Sequence, residues 1–266
     1  MKRTSWQRSW IRTGRWTCVA LVAASVGLPA TASAQDKSAP AKTAAAIALP
    51  AGEKILDEYA NAIGGKEALG KFKTRRSEGV LEMKSVGLEG KMLLLQSQPD
   101  KLVLRFDIPN VGKHENGFDG KIAWEDSVIS GGRELEGEEK DQIVRRALFD
   151  GDHQWRKVYE KATTKGEDKV GDRPVWVVEL KPIGSDKLQT NYYDKESKLL
   201  LRSKMTAATP MGEIAIENDF LDYRDLDGIK MPFESRQNVL GQTQVMRFTK
   251  ITHDEPIEDS VFSPKK

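Results

Sequence analysis

Leu102, Leu104, Phe106 and Ile108 alternate with Val103, Arg105 and Asp107, the period of two expected of a strand with one buried face and one largely wet face. The same reading predicts strands over Arg75 to Met83, Leu88 to Gln96, Lys121 to Trp124, Trp155 to Thr163, Pro174 to Lys181 and Leu188 to Tyr193. It continues over Leu199 to Met205, Glu213 to Tyr223, Met231 to Leu240 and Thr243 to Ile251. Gly87, Asp119-Gly120, Gly131-Gly132, Gly171-Asp172, Asp227-Gly228 and Gly241 fall between these runs as hairpin or tight-turn signals. Connections this short join antiparallel neighbours.

Two stretches follow a helical period instead. Ile55, Tyr59 and Ile63 recur at a spacing of four, and Gly64-Gly65 supplies a left-handed stop. A short turn from Lys66 to Phe72 then buries Leu69 and Phe72. From Glu138 to Phe149, Ile143, Val144, Ala147 and Leu148 are spaced as the apolar stripe of a second amphipathic helix, inserted in the middle of the strand series. The expected fold class is α+β, mainly β, in one domain over residues 51–266.

The first residues obey neither pattern. Lys2, Arg3, Arg8, Arg12 and Arg15 precede an apolar run from Trp16 to Ala30, which ends in Ala32-Ser33-Ala34. This is the layout of a secretory signal peptide over residues 1–34, with cleavage expected after Ala34 and export to the periplasm. Residues 35–50, mostly Ala, Lys, Ser and Pro, are read as a flexible tether. Removing the leader lowers Lys plus Arg from 42 to 37 against 40 Asp plus Glu, so the net charge moves from +2 to −3. The basicity belongs to the leader, and with it goes the electrostatic reason to expect nucleic-acid binding.

Catalytic chemistry finds few footholds. The only cysteine, Cys18, lies within the leader, so the mature chain has neither a thiol nucleophile nor a disulfide. No Gly-x-Ser-x-Gly elbow and no phosphate-cradling glycine loop is present. His114, His153 and His253 are far apart and outside any metal-ligand spacing, and each reads as a surface or hydrogen-bonded residue. Asp150-Gly151-Asp152-His153 lacks the glycine and the closing acid of a calcium loop and reads as a helix-to-strand turn. Glu134, Glu136, Glu138, Glu139 and Asp141 read as a solvated helix start favoured by the helix dipole. No enzyme activity, cofactor or metal is expected.

Apolar bulk is the remaining signal. Leu93-Leu94-Leu95, Val175-Trp176-Val177-Val178 and Leu199-Leu200-Leu201 place large side chains on both faces of their strands. A sheet with one covered face does not need that. Either helices and tether cover the second face, or it shapes a cavity for an apolar guest.

Several turn and packing signals together resemble the periplasmic lipoprotein-carrier (LolA-like) superfamily and its outer-membrane lipoprotein-sorting relatives, over almost the whole mature chain. They are Gly64-Gly65 with Ala68 and Phe72, Pro99-Asp100-Lys101, and Gly117-Phe118-Asp119-Gly120 leading to Trp124. Further along come Tyr192-Tyr193-Asp194 with Leu199-Leu200-Leu201-Arg202, then Asp222-Tyr223-Arg224 with Asp227-Gly228 and Met231-Pro232, and finally Val261-Phe262-Ser263-Pro264. The resemblance implies a curved, unclosed antiparallel β-sheet (half-barrel) with helices packed on the concave face and an apolar hollow for acyl chains. The expected role is a non-enzymatic carrier of lipid or lipoprotein acyl chains, served by an inner-membrane loading or regulatory partner, with the two amphipathic helices as lids. The alternative is an envelope sensor or protein-interaction module on the same fold. The expected lining is drawn from Leu93, Leu95, Leu102, Leu104, Phe106, Trp124, Trp176, Val178, Leu199, Leu201, Ile214, Ile216, Phe220 and Phe233, the inward face being open wherever both faces are apolar.

Overall fold

The computed structural model describes residues 48–128, 131–209 and 212–265. The expected signal peptide, its expected cleavage site and the expected tether as far as residue 47 lie outside the described residues. Helix α1 (Gly52–Ala62) buries Ile55, Leu56, Tyr59 and Ala60 along one stripe. Helix α2 (Gly65–Leu69) follows at once. Gly64 between them has φ +133°, and a Cβ there would stand 2.6 Å from the Gly228 carbonyl oxygen. The turn thus needs glycine for its backbone angle and for the close approach of another turn.

The strands are β1 (Thr74–Met83), β2 (Leu88–Ser97), β3 (Lys101–Ile108), β4 (Gly112–Phe118), β5 (Ala123–Ser127), β6 (Gly131–Glu134) and β7 (Tyr159–Val170). They continue as β8 (Arg173–Pro182), β9 (Gln189–Asp194), β10 (Leu200–Thr209), β11 (Gly212–Leu226), β12 (Ile229–Val239) and β13 (Gln242–His253). All join one antiparallel sheet in the order β6-β5-β4-β3-β2-β1-β13-β12-β11-β10-β9-β8-β7. Each half is a meander of sequence neighbours, and the β1–β13 pair alone joins chain segments from opposite ends of the series. The outermost strands, β6 and β7, do not pair, so the sheet is not closed. They are consecutive in the chain, and helix α3 (Gly137–Ala147) lies in the connection between them.

Three apolar clusters hold these layers. On the β8–β12 half, Ile55, Leu56, Tyr59, Ile63, Leu69 and Phe72 pack against Val178, Leu180, Tyr193, Leu199 and Ile229. On the other half, Ile143, Val144 and Ala147 of α3 pack with Leu102, Leu104, Phe106 and Phe118. The third cluster joins Leu95, Val103 and Trp124 to Phe262, whose one-turn helix Asp259–Phe262 follows the last strand.

The sequence reading omitted β4 and β6 and began a strand at Trp155. In β4 the alternating positions are polar, and Glu115 is buried because Arg105 and Lys265 pair with it at 3.3 and 2.8 Å. Strand β6 is only four residues long and opens on two glycines. Trp155–Lys157 forms a single 3₁₀ turn, which buries the indole and lets its Nε1 donate to Asp57 at 2.9 Å before β7 begins.

Candidate functional site

The helices do not cover the whole inner face. A cavity of about 630 Å³ remains, with Tyr59 of α1 and Ile63 just after it on one side and Gln142, Ile143 and Arg146 of α3 on another. Its sheet wall is built from Leu94 of β2, Leu104 of β3, Ile216 and Phe220 of β11, Ser235 and Gln237 of β12 and Phe248 of β13. Met92, Met205, Met231 and Met246 also line it. Thioether side chains are unbranched and polarizable, so a wall rich in them adapts to guests of varied shape.

The expected lining residues divide among several places. Leu104, Ile216 and Phe220 border the hollow. Leu102 and Phe106 stand on the same face as Leu104, under α3. Trp176, Val178 and Leu199 belong to the cluster under α1. Leu201, Ile214 and Phe233 are buried without bordering the cavity, and the Phe233 ring carries the Arg224 guanidinium 4.5 Å from its centroid. Leu93, Leu95 and Trp124 face the opposite way, into the cluster closed by Phe262. Strict alternation along β2 turns Leu94 inward and its two neighbours outward. The four methionines were missed by the sequence reading, although each sits on a strand that it had predicted.

One region of the hollow is polar. Arg75 and Asp150 form a buried ion pair at 2.8 Å, and the Tyr59 hydroxyl donates to Asp152 Oδ2 at 3.2 Å. Tyr159 donates to Gln189, whose Nε2 donates to Asn191 at 2.8 Å, and Asn191 donates to the Tyr193 hydroxyl at 2.8 Å. Burial pushes the Tyr59, Tyr159 and Tyr193 phenols up, so they remain neutral hydroxyls. Helix α3 adds Glu138, held by Arg145 at 2.8 Å, and Glu139, held by Arg133 at 2.8 Å, so the acidic helix start is ion-paired. His253 accepts from Arg75 Nε at 3.1 Å and its Nδ1 lies 2.9 Å from Asp227 Oδ2. Among the described residues, no group of three or more His, Cys, Asp or Glu side chains is placed to hold a metal.

The Asp152 side chain is uncovered, but it faces the hollow with protein around it. Desolvation by the protein around the hollow pushes its carboxyl up from the ordinary 3.8, against the lowering effect of the Tyr59 hydrogen bond. A carboxyl raised in the folded state favours folding most fully below the ordinary value, and that contribution is lost as pH rises through the folded value. Asp152→Asn retains an acceptor for Tyr59 and carries no charge. It is expected to raise the urea midpoint at neutral pH, with the gain vanishing as pH falls toward 3.8; a gain independent of pH would contradict this assignment.

No protein-family model matches the sequence, and no curated protein matches it. Similarity lies in the solved structures. A DUF1329 family protein from Desulfovibrio piger superposes with a TM-score of 0.56 at 16% identity, covering 81% of this chain and 98% of its own. A LolA superfamily protein from Nitrosomonas europaea gives 0.53 at 11% identity, with 81% and 98% covered. A domain assigned to the outer membrane lipoprotein-sorting proteins, from Vibrio parahaemolyticus, gives 0.53 at 13% identity, with 79% and 95% covered. The chain therefore has a LolA-like fold: an open antiparallel sheet with its α-helices on one face.

Proposed function

We propose that this protein is a non-enzymatic periplasmic carrier or binding protein for lipid or lipoprotein acyl chains, which occupy the hollow between sheet and helices. The observation that carries the reading is the cavity of about 630 Å³ with its methionine, leucine and phenylalanine lining, within the range of about 300–1,000 Å³ common for small-molecule sites. The LolA-like fold and the leader-like first 34 residues support the same assignment.

Transfer works by burial. A chain of about sixteen carbons leaving water gains on the order of 12 kcal/mol at ~0.8 kcal/mol per methylene, less several kcal/mol for ordering the complex. A bilayer already offers that gain, so net extraction requires a loading partner and a hollow that holds the chain only moderately. The adaptable methionine wall suits a guest that must also leave.

The test uses the neutral fluorophore N-phenylnaphthylamine with the full chain purified without detergent and then delipidated. The expected result is saturable, blue-shifted emission, most of which is lost in Ile216→Trp, a substitution that fills the cavity from β11. A folded wild-type protein that leaves the dye dark would overturn the carrier function.

A further inference from the structure

At one end of the sheet, the end at which β1 finishes and β2 begins, the described hairpin connections each expose a large apolar side chain. Val86 stands in the β1–β2 connection, Val111 in β3–β4, Val128 in β5–β6, Ile183 and Leu188 in β8–β9, and Leu240 in β12–β13. Strand pairing sets these tips side by side. Ser85 Oγ donates to Gln242 Oε1, a Cβ on Gly112 would stand 2.6 Å from Val128 Cγ1, and Lys187 pairs with Glu213 at 2.5 Å. The turns at the opposite end, around Asp100, Gly120, Asp172, Glu196 and Asp227, expose no large apolar side chain among the described residues. Leu240 is the extreme case. It is 72% exposed and holds φ +51°, in a two-residue turn between Val239 and Gln242 that suits asparagine or glycine. Neither packing nor backbone preference explains a leucine there.

We infer that this end of the sheet is a membrane-docking rim, whose apolar tips enter the headgroup zone of a lipid bilayer. Exposed apolar residues scattered singly over a surface need no explanation. Six on one rim and none on the opposite turns do. The tips reach from the β5–β6 to the β8–β9 connection, ten strand spacings apart, or about 48 Å along the sheet at ~4.8 Å per strand. A standard protein interface of about 800 Å² per partner is only roughly 30 Å across. A bilayer meets separate tips over the longer span at once and takes each into its interfacial layer. Lys84, Lys113 and Lys187 beside these tips lie against Glu82, Asp107 and Glu213, so side-chain insertion, and not headgroup charge, supplies the hold. Leu188 and Leu240 also border a second, more open hollow of about 540 Å³, which shares Met205, Thr206 and Ile216 with the main cavity. A membrane seated on the rim therefore adjoins the hollow. The inference goes beyond the carrier reading, because it uses the hairpin tips and not the lining.

The test is flotation of the full chain with vesicles of phosphatidylethanolamine containing a minor share of phosphatidylglycerol, at low and at high salt. Wild type is compared with a rim variant carrying Val128→Ser, Leu188→Ser and Leu240→Asn, the last of which suits the backbone angle. Wild type is expected to float at both salt levels, and the rim variant to bind at least about ten-fold more weakly, the scale of burying one apolar side chain. In Leu240→Trp, the added indole emission is expected to be quenched by vesicles with brominated acyl chains, which reads the rim itself. Equal flotation of wild type and rim variant, or an added indole that brominated chains leave bright, overturns the docking rim. So does flotation that high salt abolishes, since charge would then supply the hold. A wild type that ignores vesicles and instead forms a dimer that the rim variant cannot form overturns it as well. Uptake of N-phenylnaphthylamine is read in parallel. A protein that takes up dye but ignores vesicles loses the rim and keeps the carrier function, whereas one that docks through the rim and leaves the dye dark keeps the rim and loses the carrier function.

Discussion

Arg75→Met is expected to cost about 3–5 kcal/mol of folding stability at neutral pH, the range for removing one partner of a buried ion pair. The guanidinium binds Asp150 at 2.8 Å with both side chains almost fully enclosed. It also donates to His253 at 3.1 Å and lies 4.9 Å from the centre of the Phe149 ring. Arg75 belongs to β1, whereas Asp150 and Phe149 follow α3, so this one side chain ties the α3–β7 connection to the middle of the sheet. Methionine preserves the bulk and strands the carboxylate. Burial already pushes the Asp150 carboxyl upward, opposed chiefly by Arg75. Without Arg75 it rises further, so the loss is largest at neutral pH and shrinks as acid protonates Asp150. Urea denaturation across pH checks this, and Arg75→Met combined with Asp150→Asn should recover most of the loss. A penalty that does not change with pH would mean that lost packing, not a stranded charge, is responsible.

Phe262→Ala is expected to cost about 3–5 kcal/mol, the usual price of deleting an enclosed aromatic ring. Phe262 is fully buried against Leu95, Val103 and Trp124, and its carbonyl accepts from the Trp124 indole at 2.7 Å. Lys101 pairs with Asp259 at 2.8 Å and Lys265 with Glu115 at 2.8 Å, which fastens the flanks of the segment. This cluster lies on the other face from the hollow. A folded Phe262→Ala protein, less stable in urea, should therefore still take up N-phenylnaphthylamine. Loss of dye binding in parallel with unimpaired stability would place the ring in the cavity wall instead.

Much of the sheet was legible because its strands alternate. Leu102, Leu104 and Phe106 show one face plainly, and Ile55, Tyr59 and Ile63 mark α1 as plainly. Leu93-Leu94-Leu95 correctly signalled that both faces of β2 are covered. Which cover lay on which side was not legible, since Phe262 comes more than 150 residues later and only tertiary contact brings it over Leu95. Strand β4 escaped because Glu115 is buried through ion pairing, and pattern reading takes a carboxylate as wet. The resemblance to the LolA-like superfamily supplied the open sheet and its helical layer, which alternation alone does not specify.

The strand order also governs the order of assembly. The partners at the central seam, Arg75 and His253, are 178 residues apart, whereas each meander to either side is stitched by short hairpins. Hairpins can build β1 through β6 by themselves, but the sheet is not continuous across its centre until β13 pairs with β1. Until then β1 offers an unmatched flank along its whole length, open to foreign strands until the protein's own final strand claims it.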